Sequence, residues 1–433
     1  MAQSAEDRSS AAHGVRRTDR PIAAPAGQRP AELNQRASMS LPEVNEAAAR
    51  HGEEVIELLS QLVQTPSPNP PGDTRAVAKI VREYLEEAAI PVEMIGPDRT
   101  RPCVIARLGD ATGPMLGFNS HLDTVEIGSR GGWARDPYGG EIADGRLWGL
   151  GSGDAKASVA AMCVAVKVLH RARNSWRGGV LLALVSDEES GGNGSRFLLS
   201  NGHTDADAWV MGGMTGNRVA IAEKGLIWLR VETVGRTAHA STPEKGVSAI
   251  EKMLDLLQRI RTELVPPMQL MKHPLTPPAS LNIGLIEGGV QPNVVADRCS
   301  VVLDRRLLPY EQAEAFEFEV RRLLSEQSER DGSFRARVET LLIGTPIETD
   351  PNDSLVLAVR YASGELGVAD EPIGFDQASD GRFYAELGIP TVILGPGDPG
   401  LAHSAREHVL ADELVMAVRL YAGLATRYLS RAV

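Results

Sequence analysis

The spacing of apolar residues predicts two helices where the patterned part of the chain begins. Over residues 43–63 apolar positions recur three and four residues apart, as on one face of a helix. The sequence Ser-Pro-Asn-Pro-Pro-Gly at residues 67–72 predicts a turn, because it combines several turn-forming residues. A second helix is predicted over residues 74–88.

Short apolar runs then alternate with helical stretches. The runs at residues 103–108, 115–118 and 179–185 are typical of buried strands, whereas residues 154–173 and 195–199 have helical spacing. This alternation predicts an α/β fold with a mostly parallel sheet and helices on both faces. Polar residues cluster where the strands end, which is where open α/β sheets place their active sites.

The pattern changes near Gly225 and returns near Thr345. Between these positions the predicted order is strand, helix, two strands and helix, at residues 227–234, 246–264, 280–287, 299–303 and 311–329. Beyond Thr345 the earlier pattern resumes with two helices and a strand, at residues 353–366, 410–428 and 391–394. We therefore predict a catalytic domain of residues 41–225 and 345–433, with an inserted α+β lid domain of residues 226–344.

Residues 1–40 differ in composition from the rest of the chain. They are rich in Ala, Arg, Ser and Pro, contain the basic cluster Arg16, Arg17 and Arg20, and lack the apolar core of a secretory signal. We interpret them as a flexible tail, with a targeting role as the alternative. Met39 is an alternative start of translation, because helical patterning begins only after it.

The overall charge narrows the classes of partner. The 433 residues carry a formal net charge of −12, with a pI of about 5.4, which leaves no basic surface for nucleic acid or an acidic membrane. No apolar run approaches the roughly 20 residues that cross a bilayer. Cys103, Cys163 and Cys299 lie far apart and form no CxxC motif, which favours the reducing cytoplasm. We therefore expect a cytoplasmic enzyme that acts on a small molecule.

His121 and Asp123 follow the strand predicted at residues 115–118. In an extended segment residues two apart point the same way, so Asp123 can accept a hydrogen bond from the His121 ring. A carboxylate that holds a histidine ring is a common partner of a metal ligand. For this pair taken alone, a structural histidine is the alternative.

Asp154 follows a glycine-rich turn, residues 149–153, that leads into a predicted helix. One interpretation is that Asp154 caps the helix, as aspartate commonly does. The other is that its carboxylate bridges two metal ions. A phosphate-binding loop is disfavoured, because the spacing lacks the Walker pattern.

Three consecutive acids, Asp187, Glu188 and Glu189, follow the strand at residues 179–185. Their mutual repulsion requires a cation or solvent to relieve it, so a solvated acidic loop is one interpretation. In the other, one glutamate binds a metal ion while its neighbour handles protons for an attacking water. His403 follows the strand at residues 391–394 and adds a second imidazole, although alone it would be assigned to the surface.

Together these segments resemble the M20 family of metallopeptidases and deacylases, which includes acetylornithine deacetylase, succinyl-diaminopimelate desuccinylase, aminoacylase and carboxypeptidase G. The resemblance runs from about residue 43 to the C-terminus. Five motifs occur in the family's order: Ser-His-Leu-Asp-Thr, Gly-Ser-Gly-Asp-Ala-Lys, Asp-Glu-Glu-Ser, Thr-Ala-His-Ala-Ser-Thr-Pro and Ala-His-Ser-Ala-Arg-Glu. The resemblance implies a zinc-peptidase-like catalytic domain and a ferredoxin-like lid that also serves dimerisation.

The resemblance also implies roles for single residues. Four side chains match the family's metal ligands: His121, Asp154, Glu189 and His403. Asp154 would be the bridging carboxylate, and Asp123 would orient His121. Glu188 would take a proton from the attacking water and pass it to the leaving amine. Zinc is the expected metal, as one or two ions, with cobalt and manganese as alternatives, because the ligands are imidazole and carboxylate.

Three further matches lie in the predicted lid. His239 matches the histidine that reaches into the site of the other subunit and stabilises the oxyanion, so the resemblance implies a homodimer formed through the lid. Asn293 and Arg306 match residues that bind polar groups of the substrate. A salt bridge with Asp304 or another acid is the structural alternative for Arg306.

One position departs from the family's pattern. The family has a Glu or Asp ligand after the strand that follows the acidic loop, and this chain has Gly213 there. The ion shared by His121 and Asp154 is therefore expected to bind weakly. Three alternatives follow: a one-ion enzyme, a two-ion enzyme completed by water or substrate, and a protein that no longer hydrolyses its ligand.

The function predicted from the sequence is hydrolysis of an amide bond in a small N-acyl amino acid or dipeptide-like substrate. Glu188 and His239 favour retained catalysis, because a binding protein needs neither a base nor an oxyanion donor. The departure at Gly213 motivates two alternatives. One is metal-assisted acyl transfer or condensation, and the other is a catalytically silent binding protein.

Overall fold

The computed structural model describes residues 39–109, 113–173 and 176–430. The α-helices in these ranges are α1 (Leu41–Ala49), α2 (Gly52–Val63), α3 (Arg75–Glu87), α4 (Lys156–Arg171), α5 (Asn193–Ser200), α6 (Ala249–Arg259), α7 (Val265–Leu270), α8 (Ala313–Arg330), α9 (Ser354–Leu366), α10 (Gly381–Ala385) and α11 (Ala411–Leu429). The strands are β1 (Val92–Ile95), β2 (Cys103–Gly109), β3 (Met115–His121), β4 (Glu141–Ala143), β5 (Arg146–Trp148), β6 (Gly179–Val185), β7 (Ala208–Gly212), β8 (Ala220–Glu223), β9 (Gly225–Val234), β10 (Ser280–Gly288), β11 (Arg298–Leu307), β12 (Ala336–Gly344), β13 (Ile347–Glu348), β14 (Ile373–Phe375), β15 (Thr391–Leu394) and β16 (His408–Leu410). The tail predicted at residues 1–40 lies outside the described residues, apart from its last two positions.

A nine-stranded sheet forms the centre of the fold. Its strands lie in the order β1-β2-β6-β3-β7-β15-β8-β13, and β14 pairs with β8. The neighbours β6, β3, β7 and β15 run parallel, and antiparallel pairs lie on either side of them. The predicted α/β fold with a mostly parallel central sheet is confirmed.

The strand β6 shows why its sequence is an uninterrupted apolar run. Val180, Leu182 and Leu184 face a hydrophobic core that includes side chains of α2, α4 and α11. Leu181 and Ala183 face a second core, to which α5 and α10 contribute. Because both faces are covered by helices, every residue of this strand is buried.

Residues 225–344, which we call the inserted unit, form a separate four-stranded sheet of order β10-β11-β9-β12. All of its strand pairs are antiparallel. Apolar side chains of α6 and α8, among them Met253 and Val320, pack with those of β9 and β11 in a core of their own. The order strand, helix, two strands, helix, strand is ferredoxin-like, as the fold class predicted from the sequence requires.

The chain enters and leaves the inserted unit through neighbouring strands. The strand β8 ends at Glu223 and β9 begins at Gly225, whereas β12 ends at Gly344 and β13 begins at Ile347. Glu223 pairs with Ile347, and Leu226 pairs with Gly344. The two crossings, the points at which the chain enters and leaves the inserted unit, therefore lie side by side.

Two predicted helices differ from the structure. The helix expected over residues 43–63 is two helices, because His51 leaves the helical conformation with φ −96° and ψ 18°. The helix α1 packs mainly along α11 and α2 mainly against α4, so each follows a different neighbour. The helix expected over residues 246–264 begins only at Ala249, after the N-cap Ser248, and continues as a π-helical segment at Ile260–Leu264.

Two further features concern the helices and the cysteines of the described residues. Within the described ranges, no helix has both the length and the apolar character that crossing a bilayer requires. Cys103, Cys163 and Cys299 are buried, and none of them forms a disulfide with another described cysteine.

Candidate metal centre

Four parallel strands end at the same edge of the central sheet. The strand β3 ends at His121, β6 is followed by the acidic loop, β7 leads to Gly213, and β15 leads through a loop to His403. The carboxyl ends of parallel strands share one edge, so the topology brings these distant motifs together.

Asp154, Glu189 and His403 each direct a potential ligand atom to a common point. One such atom from each residue lies within 4.8 Å of the other two. The Nε2 atom of His403 is 3.2 Å from Oδ2 of Asp154 and 3.3 Å from Oε1 of Glu189. Two carboxylates and an imidazole are ligand types that zinc accepts, so the residues fit a metal ion. We call these three residues the triad.

The surroundings of Glu189 support this fit. Its Oε1 atom is buried and receives no hydrogen bond from the described residues. A buried carboxylate oxygen is costly unless a cation lies beside it, and either a protonated His403 ring or a bound metal ion can supply that charge. His403 closes the triad from the solvent side, since half of its side chain is exposed. The carboxylates of Asp154 and Glu189 raise the pKa of His403 to about 10, so an ion would bind in competition with a proton.

The turn before α4 directs Asp154 into the triad. Ala155 is the N-cap of α4, so the interpretation of Asp154 as the helix cap is wrong. The Asp154 carboxylate lies between two imidazoles, with Oδ1 3.3 Å from Nε2 of His121. Burial opposes a charged carboxylate here, but hydrogen bonds from His121 and His403 outweigh it and hold the pKa of Asp154 below its usual range.

Glu407 holds the backbone of this turn. Its Oε1 atom accepts hydrogen bonds from the backbone nitrogens of Gly153 and Asp154, at 2.9 and 3.0 Å. The side chain is buried, and burial raises its pKa to about 8. Glu407 therefore positions Asp154 through the main chain.

His121 has an oxygen atom near each ring nitrogen. Its Nδ1 atom lies 2.9 Å from the backbone oxygen of Asp123 and 3.8 Å from the Asp123 carboxylate, so the carbonyl is the closer partner. The Asp123 carboxylate lies beneath the acidic loop. It accepts hydrogen bonds from Asn69 at 2.8 Å and from the backbone nitrogens of Glu188 and Glu189 at 3.3 Å. Asp123 therefore contacts His121 mainly through its backbone oxygen. Its side chain instead contacts the acidic loop.

Glu188 lies in the wall of the cavity that contains the triad. Burial raises the pKa of Glu188 well above its usual value, and the nearby carboxylates of Asp380 and Glu189 add to this effect. His121 opposes it. Burial also disfavours the charged form of His121, yet Asp154 and the acidic loop raise the pKa of His121 well above its usual value. A carboxyl group with a raised pKa suits proton transfer near neutral pH.

The cavity has a volume of about 970 Å³. The part of the chain outside the inserted unit contributes the triad, His121 and Glu188, and the inserted unit contributes Trp228 and Arg306 among others. The Arg306 Nε atom lies 3.0 Å from Asp304. Arg306 therefore forms the salt bridge expected as its structural alternative and also lines the cavity.

Two arginines that the sequence analysis did not single out line the same cavity. The guanidinium groups of Arg196 and Arg382 lie 4.9 and 4.8 Å from the centre of the Phe383 ring. Arg382 also contacts the buried Asp380 at 3.5 Å, and Asp380 accepts a hydrogen bond from Ser195 at 2.6 Å. The short sequence Ser-Asp-Gly-Arg, residues 379–382, at the start of α10 was the only local signal for this part of the wall.

His239 and Asn293 do not line this cavity in the described chain. They lie beside each other on the inserted unit, where the backbone nitrogen of Ala240 donates to the backbone oxygen of Asn293 at 3.0 Å. Both side chains are exposed, and Nδ1 of His239 lies 2.8 Å from Oγ of Ser241. Within one chain, His239 and Asn293 therefore lie apart from the predicted site residues that line the cavity.

Sequence reasoning also missed Asn69 and Glu407. The Nδ2 atom of Asn69 donates to Asp123 and to Asp187, both at 2.8 Å, and so joins two buried carboxylates. Its only signal in the sequence was the turn at residues 67–72. Glu407 is the last residue of the motif that contains His403, which could have identified it.

Three potential metal ligands beside a glutamate with a raised pKa, at the carboxyl edge of an α/β sheet, are an arrangement typical of hydrolases that activate water rather than a nucleophilic side chain. Comparison with known proteins narrows this class. Peptidase family M20/M25/M40 matches residues 117–427, and the chain belongs to this family. The family predicted from the five motifs is confirmed, and the chain is an M20-type amidohydrolase.

Relatives cover most of the chain. An N-formyl-4-amino-5-aminomethyl-2-methylpyrimidine deformylase of Halalkalibacterium halodurans is 28% identical over 396 residues, which is 84% of this chain and 92% of the relative. An acetylornithine deacetylase of Proteus mirabilis is 27% identical over 368 residues, 82% of this chain and 91% of the relative. A solved structure of a dinuclear metal-binding peptidase of the M20 family from Bacillus subtilis superposes with a TM-score of 0.67 at 17% identity, covering 88% of this chain and 99% of that one. This structural likeness shows the shared fold.

Proposed function

We propose that the chain hydrolyses the amide bond of a small N-acyl amino acid or dipeptide-like substrate. The observation that carries this proposal is that Glu188 shares one cavity with the triad of Asp154, Glu189 and His403. A base beside a metal site serves to activate water, whereas a binding site for an intact ligand has no need of one. The named relatives, a deformylase and a deacetylase, support an acyl amide as the bond that is cleaved.

The proposed reaction gives each residue a task. The triad holds the metal ion, and zinc is the first choice. When bound, the ion would lower the pKa of water and polarise the scissile carbonyl. Glu188 accepts the proton of the attacking water and donates it to the leaving amine. Because burial raises the pKa of Glu188, its carboxyl group can carry this proton between the two steps near neutral pH. Arg306 binds a polar group of the substrate from the inserted unit.

In this proposal the inserted unit is both lid and dimerisation domain. The strand β10 lies at an edge of its sheet, and Leu285 and Ile286 on this strand are 62% and 55% exposed. An exposed apolar edge strand is a surface that pairs readily with another chain. Since His239 and Asn293 lie outside the cavity of their own chain, a homodimer would allow them to reach the cavity of the other subunit, where His239 would stabilise the oxyanion.

The cytoplasm is the proposed location. The buried and unpaired cysteines fit a reducing compartment. The net charge of −12 fits a small-molecule substrate better than nucleic acid.

A substrate panel combined with a variant of Glu188 tests the catalytic proposal. Zinc-loaded protein is incubated with N-formyl, N-acetyl and N-succinyl amino acids and with dipeptides, and the released amine and acid are quantified. We expect equal amounts of both products from at least one substrate. Glu188→Gln should lower kcat by roughly 10²–10⁴-fold, because the base is lost, while metal content stays unchanged.

The exposed Glu126, changed to Gln, is the matched control and should retain wild-type turnover. A conjugated product in place of free acid and amine would overturn hydrolysis in favour of acyl transfer. Absence of turnover throughout the panel, with metal bound, would leave a binding protein.

Mixing two inactive variants tests the dimer. Glu188→Gln and His239→Ala are each expected to have little activity. Their mixture should recover roughly a quarter of wild-type activity, because half of the randomly formed dimers carry one complete site. Sedimentation of the wild type as a monomer, or a mixture as inactive as its components, would overturn the shared site.

A further inference from the structure

We infer that this chain holds a single catalytic metal ion, bound by the triad, and that His121 positions a ligand rather than binding a second ion. The inference rests on the proposed function insofar as the ion is catalytic. It concerns the residues that would have to hold a second ion next to the first.

The second position has too few ligands. Of the residues predicted there, His121 and Asp154 are present, with Nε2 and Oδ1 3.3 Å apart. In the described part of the chain, the triad is the only group of three or more potential ligand side chains whose atoms converge within 4.8 Å. Structural zinc uses four protein ligands and catalytic zinc commonly three, so two side chains are a weak site.

Gly213 lines the cavity, and the side-chain atoms nearest to it on the sheet side are apolar. A Cβ atom placed on Gly213 would lie 2.8 Å from Cγ2 of Ile393 and 3.3 Å from Cζ of Phe375. Both of these side chains are buried in the hydrophobic core on that face of the sheet. A side chain at this position would require Ile393 to shift, and Ile393 and Phe375 offer no oxygen or nitrogen atom in place of the missing ligand.

His121 has a different partner on each side. The backbone oxygen of Asp123 lies 2.9 Å from Nδ1, and Oδ1 of Asp154 lies 3.3 Å from Nε2. The two histidines contact different oxygen atoms of Asp154. His121 contacts Oδ1, whereas the His403 ring lies 3.2 Å from Oδ2. His121 is thus a positioning residue that orients one ligand of the triad.

Metal stoichiometry measured by equilibrium dialysis and elemental analysis tests the inference. Wild-type protein dialysed against zinc should retain one ion per chain. The variant His121→Gln, which keeps a side-chain donor, should also retain one ion, whereas His403→Ala should lose most of it. The dinuclear Bacillus subtilis relative, treated identically, is the control for two ions. Two ions per wild-type chain, falling to one in His121→Gln, would overturn the inference.

Cobalt binding gives a second readout that does not depend on the folding of a variant. One equivalent of Co²⁺ should saturate the visible absorption and the electron paramagnetic resonance signal of the wild type. A further change on the second equivalent, with coupling between the two ions, would overturn the inference. Hydrolysis is scored separately: one ion without turnover removes the proposed function, and two ions with turnover remove this inference alone.

Discussion

The Oδ1 atom of Asp123 lies 3.3 Å from the backbone nitrogen of Glu188. A fully buried carboxylate therefore holds the main chain of the residue proposed as the general base. The same carboxylate accepts a hydrogen bond from the backbone nitrogen of Glu189, a member of the triad. The Asp123 side chain therefore holds the backbone of both Glu188 and Glu189.

Replacing Asp123 with Asn should disturb both groups at once. The amide keeps one acceptor oxygen but turns its NH₂ group toward donors, so the acidic loop must shift. We expect a loss of roughly 10–100-fold in metal affinity or in kcat, as is typical for partners of metal ligands. Chelator competition and steady-state kinetics measure the two quantities. The exposed Asp144→Asn is the control, and unchanged values for Asp123→Asn would contradict the role assigned to this carboxylate.

Metal removal should lower the stability of the wild type. An ion that binds only the folded protein adds about 2.7 kcal/mol at one hundred times its Kd, so chelation should lower Tm. The variant His403→Ala should show little of this metal-dependent shift, whereas His203→Ala, outside the triad, should keep it. Thermal unfolding with and without zinc measures the shift. A shift of wild-type size in His403→Ala would place the ion elsewhere.

Glu223, where β8 ends, should make stability depend on pH. It is 1% exposed, and burial raises its pKa from 4.5 to about 7 against the opposing hydrogen bonds from Ser379. A raised folded-state pKa gives stability that is fully present below pH 4.5 and is lost as the pH rises through 7. Glu223→Gln should therefore match the wild type near pH 4.5 and exceed it at pH 8, by about 1–3 kcal/mol.

Urea unfolding at several pH values measures this difference. The exposed Glu386→Gln is the matched control and should follow the wild-type pH dependence. A parallel pH dependence for Glu223→Gln and the wild type would show that Glu223 is charged in the folded protein.

Arg306→Ala should raise KM more than it lowers kcat. The guanidinium faces the cavity while Asp304 holds it, so it is prepared to bind a polar group of the substrate before the reaction. Loss of one charge-assisted hydrogen bond of about 1.5–3 kcal/mol corresponds to roughly a 10–100-fold rise in KM. Arg321→Ala, on the outer part of α8, is the control. A fall in kcat with KM unchanged would contradict a binding role.

The fold was predictable where a single segment determines its own structure. The apolar run of β6 and the helical spacing of α3 required no knowledge of their neighbours. The pairing of β5 with β16 could not be predicted, because each strand has only three residues and the paired residues, such as Trp148 and His408, lie far apart in the chain. The break at His51 likewise depends on which helix each half contacts.

The candidate site also contains residues that the sequence could identify and contacts that depend on the tertiary structure. The residues of the triad could be identified, because each stands in a motif at the end of a strand or in a glycine-rich turn. The contacts of the Asp123 carboxylate could not, since the acidic loop folds over it only in the tertiary structure. The supporting role of Asn69 has the same cause, because its turn carries no chemical signal of its own.

The adjacent crossings at Glu223–Gly225 and Gly344–Ile347 have a consequence for how such enzymes diversify. A segment whose two ends are already joined by strand pairing can be lengthened, exchanged or rebuilt without redirecting the strands that anchor it. The segments that carry Asp154, Glu189 and His403 belong to the other part of the chain. Changes in the inserted unit can therefore reshape one wall of the cavity without moving Asp154, Glu189 and His403.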